Sequence, residues 1–183
     1  KSETDAVVKT IEESGDPLAV RDLALFAIYA YTGIRRSEAL SLRKVDYLPE
    51  EDTLTIPETK GGRRGVRHVP TPLAKILNEY LSKPEGDNDI GVYLPLFPGR
   101  NTVDPLSPRQ VQLRFDYWKS LAGLRPELTI HSFRAGYATR LHETTGDALL
   151  VSRALGHSDA RVTSRYIAEN DVKLKEALAR AFG

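Results

Sequence analysis

Apolar positions recur along this chain at two different periods, and the switch between them divides it. Val7, Val8 and Ile11 fall at helical spacing and Gly15 ends the run, which predicts a first helix over 4–14. Pro17 opens a second over 17–32 that contains the most apolar stretch, 23–31, and Gly33 stands where a left-handed stop closes a helix. A short third helix is expected over 35–42, with Leu40 turned inward and Glu38 near its positive end. The texture then becomes that of strands. Residues 53–56 and 65–69 are short and β-branched, and the turn-rich PETKGGRR lies between them. This predicts a hairpin, or the edge of a three-stranded sheet, with a flexible basic connection.

Helical spacing returns at Pro72, where Leu73, Ile76, Leu77, Tyr80 and Leu81 form one apolar face. Residues 84–91 are polar and read as a surface loop. Ser107 and Pro108 make a cap and first-turn signal for a helix to about 122. Leu106 is placed to staple onto it, and Val111, Phe115 and Trp118 form its buried stripe. Further helices are expected over 131–143, 147–155 and 159–168, with Gly146 and Gly156 as breaks, and a last one over 171–182. In that last helix Leu174, Leu178, Ala181 and Phe182 form a stripe too short to stand alone in water. It must dock, on its own domain or on a neighbouring protomer. There are no internal repeats. The pattern as a whole is mainly α with a small antiparallel β-sheet, an α+β domain.

Composition narrows the picture. A chain of 183 residues, 40% of them apolar, fits one domain with a real core, here taken as 1–183. No apolar run approaches the roughly 20 residues a spanning helix needs, so no membrane association is expected. The chain opens with the polar KSETD, which is not a signal peptide, and Lys1 is not an initiator methionine. We therefore read it as the C-terminal part of a longer protein. Cysteine is absent, which excludes disulfides, thiolate zinc sites and cysteine nucleophiles. Net charge is only +1, yet Lys60, Arg63, Arg64 and Arg67 crowd together with no acid among them. The acids sit apart, at Asp46, Glu50, Glu51, Asp52 and Glu58. A nearly neutral protein can present one basic face in this way, and Arg63, Arg64 and Arg67 are candidate contacts to a nucleic-acid backbone.

Three clusters carry candidate chemistry. LGHSDARVTSRYI sets His157 nine residues before Tyr166, with Arg161 and Arg165 close by. HSFR puts His131 and Arg134 on one helical face. TGIRRSEAL carries Arg35 just after a glycine stop, where backbone amides and a guanidinium can hold an anion together. Each has an ordinary explanation alone. Arg35 can pair with Glu38, His157 can cap the preceding helix, Lys60 can tip a solvated hairpin, and most tyrosines are packing residues. A phenol ionises near pH 10, so nucleophilic Tyr166 needs a base or a cationic field. Arginine offers the planar fork that matches two phosphate oxygens.

Taken in order, these stretches resemble the catalytic domain of a tyrosine recombinase of the phage integrase family. TGIRRSEALSLRKVD resembles that family's first arginine box, with Arg35 the matching arginine, and TKGGRRGVRHVPTP its β-hairpin, with Lys60 the matching lysine. HSFRAGYATRL resembles its His–x–x–Arg box, giving His131 and Arg134, and LGHSDARVTSRYI its terminal box, giving His157 and the nucleophile Tyr166. The resemblance covers 6–167 and fills all six active-site positions in order. Ala135 stands where many members have a histidine, and the amino-terminal DNA-binding domain that such proteins usually carry is missing.

The resemblance implies the tyrosine recombinase catalytic-domain fold and a reaction on double-stranded DNA. Arg35, Arg134 and His157 would hold the scissile phosphate, His131 would act as general base, Lys60 as general acid and Tyr166 as nucleophile. Glu38 would orient its neighbours. The covalent intermediate would store the energy of the broken phosphodiester bond and fixed cations would replace a metal, so neither cofactor nor metal is expected. Self-association into a recombinase tetramer on DNA and a cytoplasmic, nucleoid-associated location are implied as well. A type IB topoisomerase-like DNA-relaxing enzyme and a non-catalytic DNA-binding regulatory module stay open as other readings.

Overall fold

The computed structural model describes residues 3–57, 65–82, 91–101, 103–156 and 167–182, without the side chains of 92 and 167–171. Helix α1 (Glu3–Glu12) packs on α2 (Ala19–Thr32), a helix apolar on nearly all sides and therefore central. The first break is set by Asp16, whose carboxylate accepts from the Leu18 amide at 2.7 Å. Gly33 closes α2 at φ 60°, as its place in the sequence implied. Helix α3 (Arg36–Leu40) is shorter than the pattern suggested, because the chain leaves the helix after Ser41 and the Leu42 carbonyl accepts from the Leu96 amide instead.

The sheet has three antiparallel strands in the order β1 (Tyr47–Leu48), β2 (Thr53–Ile56), β3 (Gly65–His68). Its register pairs Leu54 with Arg67 and Thr55 with Val66. Helix α4 (Thr71–Leu81) follows and buries Leu73 and Leu77. Helix α5 (Pro108–Leu121) begins with the anticipated cap: Ser107 Oγ accepts from the Gln110 amide at 3.2 Å and Gln110 Oε1 accepts from the Ser107 amide at 2.8 Å. Its inward stripe is Val111, Phe115 and Trp118, and Leu106 is buried beside it. Helix α6 (His131–Thr145) ends at Gly146, and Asp147 caps the start of α7 (Ala148–Ala154).

The expected helix over 159–168 lies mostly outside the described residues. Helix α8 (Ile167–Phe182) begins four residues earlier than the expected last helix. It packs on α6 and α7 of its own domain in this structure. Phe182 stacks on Tyr137, rings 5.6 Å apart at 12°, and meets Tyr31 edge-on at 5.4 Å, with the Arg140 guanidinium 4.9 Å from the Phe182 ring. Among the described residues, no helix is long and apolar enough to cross a membrane.

Among the described residues, two apolar clusters result. The larger centres on Phe26, Tyr29, Phe115, Trp118 and Phe133 and takes in α1 to α5 and the sheet. The smaller gathers Tyr137, Leu141, Leu150, Val151, Leu155, Ala177, Leu178 and Phe182. Helix α6 belongs to both, since Phe133 closes the first and Tyr137 opens the second.

Candidate active site

Arg35 is placed by the turn that ends α2. A Cβ on Gly33 would lie 2.6 Å from Tyr137 Cδ1 and 2.9 Å from Leu155 Cδ2, so the turn presses against α6 and α7 at a spacing only glycine permits. Ile34 is buried next, and Arg35 caps α3 with extended backbone. Glu38 then folds back on it. Its Oε2 accepts from the Arg35 amide at 3.0 Å and its Oε1 from Arg35 Nη1 at 2.8 Å. Burial pushes the Glu38 carboxyl up, but these hydrogen bonds with the charges of Arg35 and Arg67 outweigh it and hold the group below its ordinary value. The pairing with Glu38 and the anion-facing position are compatible, because much of the Arg35 side chain remains exposed.

His131 opens α6 and is exposed, and Arg134 follows one turn later but is only 8% exposed. Arg134 Nη1 donates to the Gly33 carbonyl at 2.6 Å and Nη2 to the Leu155 carbonyl at 2.9 Å. Those carbonyls close α2 and α7, so the guanidinium sits at the negative ends of two helices. Burial and the charge of Arg35 press its pKa downward. Arginine starts so high that the cation persists. The result is a buried cation locked to two backbone termini.

Arg35, His131 and Arg134 line one open cleft of about 440 Å³ together with Arg36, Gln112 and Thr129. Three separate parts of the chain converge there: the α2–α3 turn, the first turns of α5 and the start of α6. Arg36 lines the cleft too, and Gln112 and Thr129 had no signal that marked them. The nearby buried carboxylate is Glu38, so the guanidiniums outnumber the acid and the cleft favours an anion.

Lys60, Arg63, Arg64, His157 and Tyr166 lie outside the described residues, as do Arg161 and Arg165. Arg67 is described, and its position differs from an outward basic face. It is 7% exposed, and its Nη2 donates to the Leu155 carbonyl at 3.3 Å, the same oxygen that Arg134 uses. The register explains this. Arg67 stands opposite the fully buried Leu54 and so shares its inward face, while neighbouring Val66 is 56% exposed.

Fold and cleft together define a mainly helical domain with a small antiparallel sheet and an arginine-rich site suited to an anionic group. The chain belongs to the phage integrase family, whose model matches residues 1–173. It is 33% identical over 181 residues to "Tyrosine recombinase XerC" of Methylobacterium sp. (strain 4-46), covering 95% of this chain and 53% of that protein. It is 30% identical over 181 residues to "Tyrosine recombinase XerA" of Pyrococcus furiosus, covering 99% of this chain and 62% of that protein. The chain thus spans between half and two thirds of the length of these relatives. Among solved structures it is similar to a crystal structure of XerA recombinase, with TM-score 0.73, 21% identity and coverage of 98% of this chain and 60% of that one. It is also similar to XerH site-specific recombinase bound to difH substrate in a pre-cleavage complex, with TM-score 0.69, 25% identity and coverage of 85% and 45%.

Proposed function

We propose that this chain is the catalytic domain of a site-specific DNA recombinase that cleaves and rejoins strands through a 3′-phosphotyrosine bond at Tyr166. The observation that carries the reading is the convergence of Arg35, His131 and Arg134 on one cleft from distant points of the chain. Family membership and the sequence boxes around Lys60, His157 and Tyr166 support it.

The roles follow from the chemistry of each group. Arg35 and Arg134 bind the nonbridging oxygens of the scissile phosphate and stabilise the extra negative charge of the pentacoordinate transition state. Arg134 suits this role because its backbone anchors fix it before DNA arrives, so no reorganisation is needed at the moment of reaction. His131, exposed at the cleft, accepts the Tyr166 proton in the forward step and that of the incoming 5′-hydroxyl in the reverse. Lys60 protonates the 5′-oxygen as its bond to phosphorus breaks. His157 steadies the phosphate. Arg63 and Arg64 contact the DNA backbone outside the cleft. One phosphodiester bond is exchanged for one phosphotyrosine bond, so the step needs no nucleotide energy. On DNA the protein assembles as a tetramer, and it works at the nucleoid.

The test is covalent capture. The chain is incubated in EDTA with a pool of nicked duplexes of randomised sequence, and complexes resistant to detergent are recovered and sequenced. The expected result is adducts sharing a common sequence with the DNA joined through its 3′-phosphate. No adduct from any member of the pool, or adducts only with magnesium, would overturn the proposal.

A further inference from the structure

Arg67 is hard to explain by packing alone. Taking a guanidinium out of water is costly unless its donors are satisfied. Here Nη1 donates to the Val66 carbonyl at 3.1 Å and Nη2 to Leu155 at 3.3 Å, while the buried Nε has no hydrogen-bond partner among the described residues. Burial lowers its pKa, and the Glu38 charge opposes that only in part. An apolar residue on this inward strand face, opposite Leu54, would be the inexpensive choice. The chain instead places Val66 in solvent and the arginine inside.

What Arg67 touches gives the reason. The Leu155 carbonyl is held between two guanidiniums, those of Arg67 and Arg134. Gly156 passes directly over the Arg67 guanidinium at φ 73°, and a Cβ there would collide with it. Resting on the catalytic assignments proposed above, the geometry points to Arg67 as a positioning residue for the phosphate-binding arginine. It clamps the exit of α7 against strand β3 and so fixes the carbonyl that orients Arg134. The same clamp ties the strand that follows the Lys60 segment to the turn immediately before His157. It thus couples the two segments that complete the site. Arg67 acts through the Leu155 oxygen and does not itself meet the phosphate.

The variants are Arg67→Lys, which keeps the charge but loses the planar fork, and Arg67→Met, which keeps only the stem. Both should slow single-turnover adduct formation at saturating DNA by roughly 10- to 100-fold, the scale expected when a positioned group is displaced by about 1 Å. DNA affinity should stay within about two-fold and the salt slope should be unchanged, because no phosphate contact is lost. In an Arg134→Lys background the further change Arg67→Lys should cost less than about two-fold, since residues acting through one another are not additive. Hydrogen exchange at the Gly156 amide, which donates to the Arg153 carbonyl at 2.8 Å, should quicken by about ten-fold or more in Arg67→Lys as the turn loosens.

Adduct formation by Arg67→Lys at the wild-type rate per folded molecule would overturn the inference, even if its melting temperature fell. So would full multiplication of the two defects in the double variant. A salt slope reduced by about one in Arg67→Met would make Arg67 a phosphate contact instead. The exchange measurement needs neither DNA nor activity, and unchanged exchange at Gly156 would also overturn the clamp. A wild-type chain that forms no adduct would sink the proposed function while exchange still judged the clamp.

Discussion

The two apolar clusters differ in how they are held, and the candidate site lies on the seam between them. The larger is locked by aromatic rings: Phe26, Tyr29, Phe115 and Phe133 lie with centroids about 6 Å apart, and Trp118 closes one side. Beside it the buried Asp22 accepts from the Trp118 indole at 2.8 Å and pairs with Arg21 and Arg114. The smaller cluster is formed by the second half of α6, the short α7 and the apolar face of α8, and it holds fewer buried side chains. Arg134 bridges them, with one hydrogen bond to the end of α2 and one to the end of α7. A rigid half therefore fixes Arg35, His131 and Arg134, and a less extensive half presents the segment leading to His157 and Tyr166. Under the proposed function, this division gives the phosphate-binding arginines a preformed support.

The largest expected effect is in the rigid half. Phe133→Ala removes a ring that touches Phe26, Tyr29 and Phe115, and should cost about 3–5 kcal/mol, enough to unfold much of the protein at moderate temperature. Chemical denaturation measures it. A loss under about 1 kcal/mol would mean that the two halves are not distinguished as described.

A smaller effect is expected at Leu178→Ala, about 2 kcal/mol, the lower end for a buried leucine because α8 buries one face only. Its signature is more informative than its size. Amide exchange should rise across α7 and α8 while α2 keeps its protection, since the smaller cluster opens by itself. Equal loss of protection in α2 would erase the distinction between the halves.

The smallest effect concerns Glu38, which stands at the rim of the rigid half. Its folded pKa is depressed, so its ionised form stabilises the fold above the unfolded carboxyl value near 4.3 and that contribution disappears as the pH falls. Glu38→Gln should cost about 1 kcal/mol at pH 7 and progressively less in acid below about pH 4. Denaturation midpoints of both proteins across this range provide the check. A difference that grows on acidification would contradict the sign.

Much of the rigid half was legible in the sequence because its signals are local. The Gly33 stop, the Ser107–Gln110 cap and the Val111, Phe115, Trp118 stripe each need only near neighbours, and all appear as read. Arg35, His131 and Arg134 were legible as a set through the family's boxes, and the cleft brings those three together. Long-range facts were not legible. Arg67 stood in a basic run and was read with Arg63 and Arg64 as a contact to DNA. Only the pairing of Arg67 with Leu54 reveals that it points inward. The shared Leu155 carbonyl joins three distant positions, and no spacing rule contains it. Nor could periodicity choose where α8 docks, since an apolar stripe states that a helix must be covered without stating by what.

The central claim is that Tyr166 supplies the nucleophile to a phosphate held by fixed arginines, and Tyr166→Phe tests it most directly. The substitution keeps the ring and removes one oxygen. On the nicked duplex recovered by covalent capture, the expected result is DNA affinity within about three-fold of wild type, because most of that affinity is electrostatic, and no detectable adduct. An adduct formed at normal yield by the phenylalanine variant would contradict the claim and assign the nucleophile elsewhere.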